Sequence, residues 1–380
     1  MGKLIRLLVV VAAFGLVAAA CGDSDDGDTG ADTSAATDTE TEAPTTDDTE
    51  ASEEPATDAD DDAAQDFGDP VTINFGHPFP AQHPIQAGAL EQWAADVSDA
   101  TDGTVTVEFF AGGSLAPAPQ TYENVVAGAQ DVGWALQGYT PGRFPVTDVI
   151  EMPFTFTSAQ QATDVLWTLY EEFPEFQAEY ADVKLLGMWV HDLGDLWIAE
   201  GKVESLDDID GLTLRAPSPV QNAVIEALGG NPVGLPAPEL FDSLERGVID
   251  GLFIANSGLS SFNLYEVLES GVECNCYVAA QFLVMNLDTW NSLSPAQQAA
   301  VEEISGRNLS TNAAVVYDGA YDAAAARVVE SGIEKVQLSD AELDRWKEAT
   351  QSVIDDWISS NSADFPTQEM YDRMLELSAS

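Results

Sequence analysis

Basic residues are scarce in this chain. Its 380 residues include 13 Lys and Arg against 66 Asp and Glu, a formal net charge of −53, and simple repulsion excludes nucleic acid and anionic lipid head groups as partners. Histidine and cysteine number three each. His77, His83 and His191 have no metal-ligand spacing and compose no acid–base set. With no C-x-x-C and no H-E-x-x-H, neither a metal nor a cofactor is expected. G-x-S-x-G, G-x-G-x-x-G and the P-loop are also missing, which removes the commonest hydrolase and nucleotide-dependent chemistries. A secreted enzyme working with a pair of carboxylates is the catalytic alternative that an acidic composition leaves open.

No apolar run is long enough to cross a bilayer, and the stretch Leu7 to Ala20 is no exception. Preceded by Lys3 and Arg6 and followed by Cys21, it reads as a secretory signal peptide over residues 1–20. Small residues directly before Cys21 suggest lipoprotein processing and a lipid on that cysteine, although Ala18 stands where a larger aliphatic residue is usual. Ordinary cleavage near Ala20 is the alternative. Residues 22–70 carry 19 Asp and Glu, no Lys or Arg, and almost nothing apolar beyond Ala, so they read as a disordered acidic tether. As a neutral flexible chain it would span about 35 to 42 Å, and self-repulsion extends it. The predicted location is extracytoplasmic, at the periplasm or outer membrane face, held by the lipid.

Residues 71–380 keep a charge of −36 once the tether's acids and the two leader cations are set aside. Uniform acidity with few lysines suits a salt-rich habitat, where screening weakens the self-repulsion. Cys274 and Cys276 form a C-x-C that is either a local disulfide or two free thiols, since no other Cys or neighbouring His completes a metal set. Apolar alternation in "VTINFGHPF", "TVTVEFF", "VKLLGMWV", "LWIAEG", "LTLRA" and "QFLVMNLDTW" predicts strands. Helical stretches such as "HPIQAGALEQWAADVSDATDG" and "SPVQNAVIEALGG" separate them, and the end of the chain reads as mostly helix with one strand-like break at "EKVQLS". The fold class is α/β, in two lobes built from discontinuous segments.

An internal match supports the two lobes. Residues 117–131, "PAPQTYENVVAGAQD", and 236–250, "PAPELFDSLERGVID", share Pro-Ala-Pro, eight residues, Gly, two residues and Asp, and each leads into an apolar strand. The loops after those strands would then be counterparts facing one cleft, since ligands of open α/β sheets gather at the carboxyl ends of strands.

The ordered set "GGSLAPAPQTYENVVAGAQDVG", "VIEMPFTF", "GLTLRAPSP", "ALGGNPVGLPAPELFDSLERGVIDG" and "LYEVLESG" resembles the solute receptors of tripartite ATP-independent periplasmic (TRAP) transporters, the DctP-type family. The resemblance implies a Venus-flytrap binding protein, not an enzyme, with hinge strands and a long C-terminal helix region. It implies capture of an organic acid and delivery to the small and large TRAP membrane subunits. The family's arginine in this segment pairs with the substrate carboxylate, and the matching position is Arg215. A receptor that presents its ligand to a sensor protein is the alternative use of the fold, and a structural surface protein would bind no small molecule.

The chemistry of the seven arginines in residues 71–380 bears on the same residue. Arg246, Arg327 and Arg373 have acids at helical spacing (Asp242, Glu330, Glu369), Arg345 adjoins Asp344, Arg307 follows Gly306 at a helix end, and Arg143 lies in a turn. Arg215 ends an apolar strand just before a helix start at Ser218 and Pro219. Taken alone this leaves two partners, a ligand carboxylate or one of the many native acids; the resemblance favours the ligand. Trp134, Tyr139, Phe253, Phe79 and Phe154 are candidate pocket walls, Gln137 and Asn256 candidate polar anchors at equivalent positions after a strand, and His77 or His191 a further hydrogen-bonding group. Where relatives carry polar residues after the Asp-Gly pair, this chain has Leu252, Phe253 and Ile254. The ligand is therefore expected to be a monocarboxylate with a hydrophobic or aromatic body.

Overall fold

The computed structural model describes residues 66–379. The signal peptide, Cys21 and the tether to residue 65 lie outside the described residues. Residues 66–70, assigned to the tether on charge alone, already touch the folded part: the Phe67 and Asp69 carbonyls accept hydrogen bonds from Ser294 Oγ (2.8 Å) and Gln297 Nε2 (3.0 Å).

Eleven strands among the described residues are β1 (Val71–Gly76), β2 (Val105–Phe110), β3 (Val132–Leu136), β4 (Val183–Val190), β5 (Gly194–Ile198), β6 (Thr213–Ala216), β7 (Asn231–Gly234), β8 (Gly251–Ala255), β9 (Ser270–Tyr277), β10 (Ala280–Asn286) and β11 (Glu334–Val336). They form two sheets, in the orders β2-β1-β3-β10-β4 and β11-β9-β5-β8-β6-β7. In the first, β1 to β3 run parallel and β10 runs antiparallel between β3 and β4. In the second, β6, β7 and β8 are parallel, and β5 lies antiparallel between β8 and β9. Strands β3, β5, β8 and β10 are buried at every residue, as central strands covered on both faces must be.

The sheets exchange chain at two adjacent places. β4 passes to β5 through residues 191–193, and β9 returns to β10 through residues 278–279. Since β4 neighbours β10 in one sheet and β5 neighbours β9 in the other, the crossings lie side by side, with His191 N donating to Ala279 O at 3.3 Å. The helix Gly306–Ser331 packs along both halves, against β4 and the helix Ala159–Glu172 on one side and the helix Asn256–Ser261 on the other. This is the two-lobed, hinged α/β fold expected from the sequence.

The repeated sequence unit is a repeated structural unit. Each copy has a turn of 3-10 helix (118–120, 237–239), a short α-helix (Thr121–Val126, Leu240–Glu245) and a buried parallel strand (β3, β8). Each helix stops at a glycine of positive φ, Gly128 at 70° and Gly247 at 64°, where a Cβ would be strained. The aspartates match as well: Asp131 Oδ2 accepts from Asn74 N (2.8 Å) and Asp250 Oδ2 from Thr213 N (2.7 Å), each pinning the strand to its parallel neighbour.

Cys274 and Cys276 are joined as a disulfide around Asn275, whose φ is 47°. Asp195 secures that turn. Its Oδ1 accepts from Cys274 N (2.9 Å) and Asn275 N (2.8 Å), its Oδ2 from Asn256 Nδ2 (2.9 Å), and it is 1 % exposed. Replacing Asp195 by Ala leaves two buried donors, Cys274 N and Asn256 Nδ2, and the part-buried Asn275 N without an acceptor, a buried one costing about 1 to 3 kcal/mol. Urea denaturation should show a stability loss of about 3 kcal/mol or more, whereas a loss under about 1 kcal/mol would mean that water replaces the carboxylate.

Candidate functional site

Strand β6 ends in Arg215 and Ala216, and the next helix, Pro219–Ala227, follows at once, with Pro219 at its first turn and the Ser218 side chain accepting from Gln221 N (3.2 Å). This start fits the preference for Ser before a helix and Pro just inside it. Arg215 is 1 % exposed. Its Nε donates to Leu235 O (2.8 Å), after β7, and its Nη1 to Phe253 O (2.9 Å), in β8. The backbone of the two strands flanking β6 therefore fixes the guanidinium. The Tyr139 hydroxyl lies beside it and itself accepts from Ala237 N at 3.0 Å. Among the described residues no Asp or Glu oxygen comes within 4.0 Å of the Arg215 nitrogens.

The other arginines among the described residues are occupied. Arg143 pairs with Asp182 (2.7 Å), Arg246 with Asp242 (3.3 Å), Arg307 with Glu171 (3.1 Å), Arg345 with Asp207 (2.7 Å) and Glu342 (2.9 Å), and Arg373 with Glu172 and Glu376 (both 2.7 Å). Arg327 makes no ion pair with Glu330; its guanidinium covers the Tyr265 ring at 5.0 Å. Arg307 stands at the start of its helix, not at an end that welcomes a cation, and Glu171 compensates.

Arg215 lines a cavity of about 30 Å³ at the junction of the lobes. The first lobe gives Phe79, His83, Leu136 and Tyr139; the second gives Ala237, Ile254, Ser257 and Phe262; His191 in one crossing and Tyr277 and Gln281, in the strands flanking the other, add to them; the long helix gives Tyr317. Its volume is about that of one water. Beyond Tyr139 a second space of about 270 Å³ opens between Pro119, Gly138 and Pro141 on one lobe and Pro217, Ser218, Asn222 and Leu235 on the other. The lobes meet tightly there: a Cβ on Gly138 would lie 2.4 Å from Ser218 Cβ and 2.8 Å from Pro217 O.

Of the expected wall residues, Phe79 and Tyr139 reach the cavity, and His191 joins them. Trp134 lies one layer behind, 4.3 Å from Phe79 by ring centroid, with its Nε1 donating to Gln281 Oε1 at 2.6 Å. Phe253 is core and contributes its carbonyl only. Phe154 stands apart, half-buried, at a φ of 61° and 5.9 Å from the Lys347 ammonium. His77 is buried behind Phe79, and neither ring nitrogen has a hydrogen-bond partner; Gln86 and the Phe79 backbone lie near but out of bonding geometry. The two polar anchors are turned to protein partners, Gln137 to the Tyr180 hydroxyl (2.5 Å) and Asn256 to Asp195. They occupy equivalent places after β3 and β8, as expected, but the backbone carries their side chains into the lobes.

Sequence reasoning passed over His83, Tyr277, Gln281 and Tyr317 as wall residues. One available signal was that all three histidines of a histidine-poor chain fall near the strand ends and crossings. Buried acids were also unforeseen. Glu151 accepts from the Ser218 hydroxyl, and burial, with Asp148 near by, pushes its carboxyl up to about 8. Asp192, which accepts from Ser257 N (2.8 Å) and Oγ (2.5 Å), is pushed up by burial to about 7. No group of three or more His, Cys, Asp and Glu among the described residues is placed to hold a metal ion.

The family model described as "Bacterial extracellular solute-binding protein, family 7" (DctP) matches residues 75–361. The chain belongs to this family. It is the solute receptor of a TRAP-type transporter and acts outside the cytoplasm; among the described residues no helix is long and apolar enough to cross a membrane. A similar protein is the "Outer membrane transporter protein TsaT" of Comamonas testosteroni, 24 % identical over 230 residues, covering 59 % of this chain and 67 % of the relative. One similar solved structure is a marine metagenome TRAP solute-binding protein described as specific for aromatic acid ligands, in complex with 3-hydroxybenzoate. It has 27 % identity and a TM-score of 0.78, over 82 % of this chain and 99 % of that one. Another is the Bordetella bronchiseptica TRAP periplasmic solute-binding protein with bound (R)- and (S)-mandelate, 26 % identical at a TM-score of 0.77, over 82 % and 99 %.

Buried ionisable groups set a pH dependence of stability. Glu151, Asp192, Glu179 and Asp195 are raised by burial to about 8, 7, 7 and 6. Their contribution is full below the unfolded carboxyl range and is lost as pH climbs through these values. His77, His83 and His191 are lowered, chiefly by burial, to about 4, 3 and 4, so their contribution is present above about pH 6.5 and is lost as pH falls through 4 to 3. The thermal midpoint should peak near about pH 5 and fall toward pH 8, and Glu151→Gln should shallow the alkaline limb. A midpoint constant from pH 5 to 8 would contradict this.

Proposed function

We propose that this receptor captures an aromatic monocarboxylate, with the carboxylate on Arg215, and delivers it without turnover to the small and large TRAP membrane subunits. One observation carries the reading. A permanently charged guanidinium is buried at the lobe junction with backbone carbonyls on Nε and Nη1 and, among the described residues, no carboxylate within 4.0 Å. Leaving a buried charge unpaired is costly, and the remaining hydrogens on Nη1 and Nη2 form a planar fork that fits both oxygens of a carboxylate.

The walls suit a ring. Phe79, Leu136, Ile254, Phe262, Tyr277 and Tyr317 enclose the guanidinium, and the similar structures include one described as specific for aromatic acids and one holding mandelate. An aromatic acid is larger than the room beside Arg215, so it enters by parting of the lobes along the seam where Gly138 meets Pro217 and Ser218. The strand crossings and the long helix supply the hinge. Lipid on Cys21 and the acidic tether complete the proposal, holding the receptor near the permease.

The test uses the tether-free domain in high salt with benzoate as the minimal probe. At 100 times its dissociation constant, benzoate should raise stability by about 2.7 kcal/mol, read as a shift in thermal midpoint. Arg215→Lys keeps the charge but loses the fork and should weaken benzoate binding by about tenfold or more. Unchanged affinity would move the carboxylate elsewhere. Gly138→Ala, which obstructs the seam, should weaken binding while leaving the unliganded domain folded; benzoate affinity equal to the native value would place the closing contact at another surface.

A further inference from the structure

His191 sits in the crossing from β4 to β5, is 2 % exposed and lines the cavity that holds Arg215. Its Nδ1 lies 2.6 Å from Asp192 O. A carbonyl oxygen only accepts, so Nδ1 carries the proton. The opposite nitrogen, Nε2, is buried and has no hydrogen-bond partner. Burial, with the Arg215 charge opposing, holds this imidazole's titration down at about 4, so at neutral pH Nε2 is a bare lone pair. His83 on the facing lobe is the complement. Its Nδ1 accepts from Ile85 N at 3.3 Å, which leaves its proton on Nε2. Both rings flank Tyr317, at 6.0 Å and 6.3 Å by centroid.

Protein groups near His191 do not supply the missing donor. The Tyr317 hydroxyl accepts from Gln281 Nε2 at 2.7 Å and keeps its own proton, but it is not in bonding geometry with His191 Nε2, and Gln281 Oε1 takes the indole N–H groups of Trp134 (2.6 Å) and Trp189 (3.0 Å). Tyr277 packs its ring against His191 at 4.7 Å without a bond to Nε2. An acceptor that is buried and unpaired beside a ligand cavity costs free energy unless the ligand donates to it.

We infer that the ligand bears a hydroxyl group whose O–H is donated to His191 Nε2 while its carboxylate lies on Arg215, which makes His191 a specificity-determining residue for hydroxylated over unsubstituted aromatic acids. This rests on the carboxylate reading of Arg215 and adds a second point of recognition to it. The same hydroxyl oxygen is available to accept from His83 Nε2. Aromatic acids with fluorine in place of the hydroxyl have nearly the same size and cannot donate, so they separate this hydrogen bond from shape.

The experiment is calorimetric titration of the native domain with benzoate, the three hydroxybenzoate isomers and the three fluorobenzoates. At one ring position the hydroxyl compound should bind roughly tenfold or more tightly than both its fluorine counterpart and benzoate. In His191→Phe, which keeps a ring and removes the acceptor, that preference should vanish, with each hydroxyl compound and its fluorine counterpart binding alike. Equal affinities within every hydroxyl and fluorine pair on the native chain would overturn the inference and leave the Arg215 reading standing if benzoate binds. A preference that survives in His191→Phe would overturn it too. Failure of every probe, benzoate included, would bring down the aromatic-acid reading and this inference with it. Because the ligand series is measured on the native chain, it discriminates between these outcomes even where His191→Phe does not fold.

Discussion

A buried positive charge, Arg215, lies at the lobe junction with no Asp or Glu oxygen within 4.0 Å among the described residues. In a chain with 66 acidic residues, a guanidinium could find a carboxylate almost anywhere, and Arg143, Arg246, Arg307, Arg345 and Arg373 do. Arg215 is kept from one by geometry. Its Nε and Nη1 are taken by the carbonyls of Leu235 and Phe253, the nearby Glu151 is held toward its neutral form by burial, and Asp192 is engaged by Ser257. Two carbonyl dipoles soften the desolvation of the cation and set its direction without cancelling its charge. In the proposed reading the negative charge comes from the ligand.

That requirement explains the architecture around it. A carboxylate that enters a buried site needs walls that part, and a fold of two lobes meets this with two adjacent chain crossings and a helix that packs on both halves. Repeating one helix-to-strand unit brings two buried strands, β3 and β8, to the junction, each followed at once by a helical turn. The wall is therefore shared among both lobes, the crossings and the long helix. No single segment makes a site, which is the property expected of a receptor whose closure reports that it is loaded.

Much of the fold was legible in the chain. Period-two apolar runs marked most strands, and the Pro-Ala-Pro, Gly and Asp spacing marked the repeated unit, since a glycine of positive φ and a strand-pinning aspartate leave a visible signature. β7 and β9 escaped notice for physical reasons: β7 is a short edge strand that includes Pro232, and the β9 pattern is broken by Asn275 in a left-handed conformation between two cysteines. The place of Arg215, at the end of a strand just before a helix, was legible from its sequence neighbours, while its pairing with a ligand carboxylate is what the family resemblance implies. The walls of the site were less legible. Gln137 and Asn256 stand at the right places in the chain, yet Tyr180 and Asp195 claim their side chains. Such contacts between residues 43 and 61 positions apart leave no trace in local pattern. Tyr317 comes from a helix far along the sequence for the same reason.

A crystal structure of the domain grown with benzoate examines the dependence on Arg215 most directly. The carboxylate oxygens should lie about 2.7 to 2.9 Å from Nη1 and Nη2, with the ring against Phe79 and Tyr277 and both backbone carbonyl bonds intact. A benzoate bound elsewhere in the cleft, or an Arg215 that has swung onto a native Asp or Glu, would contradict the proposed role.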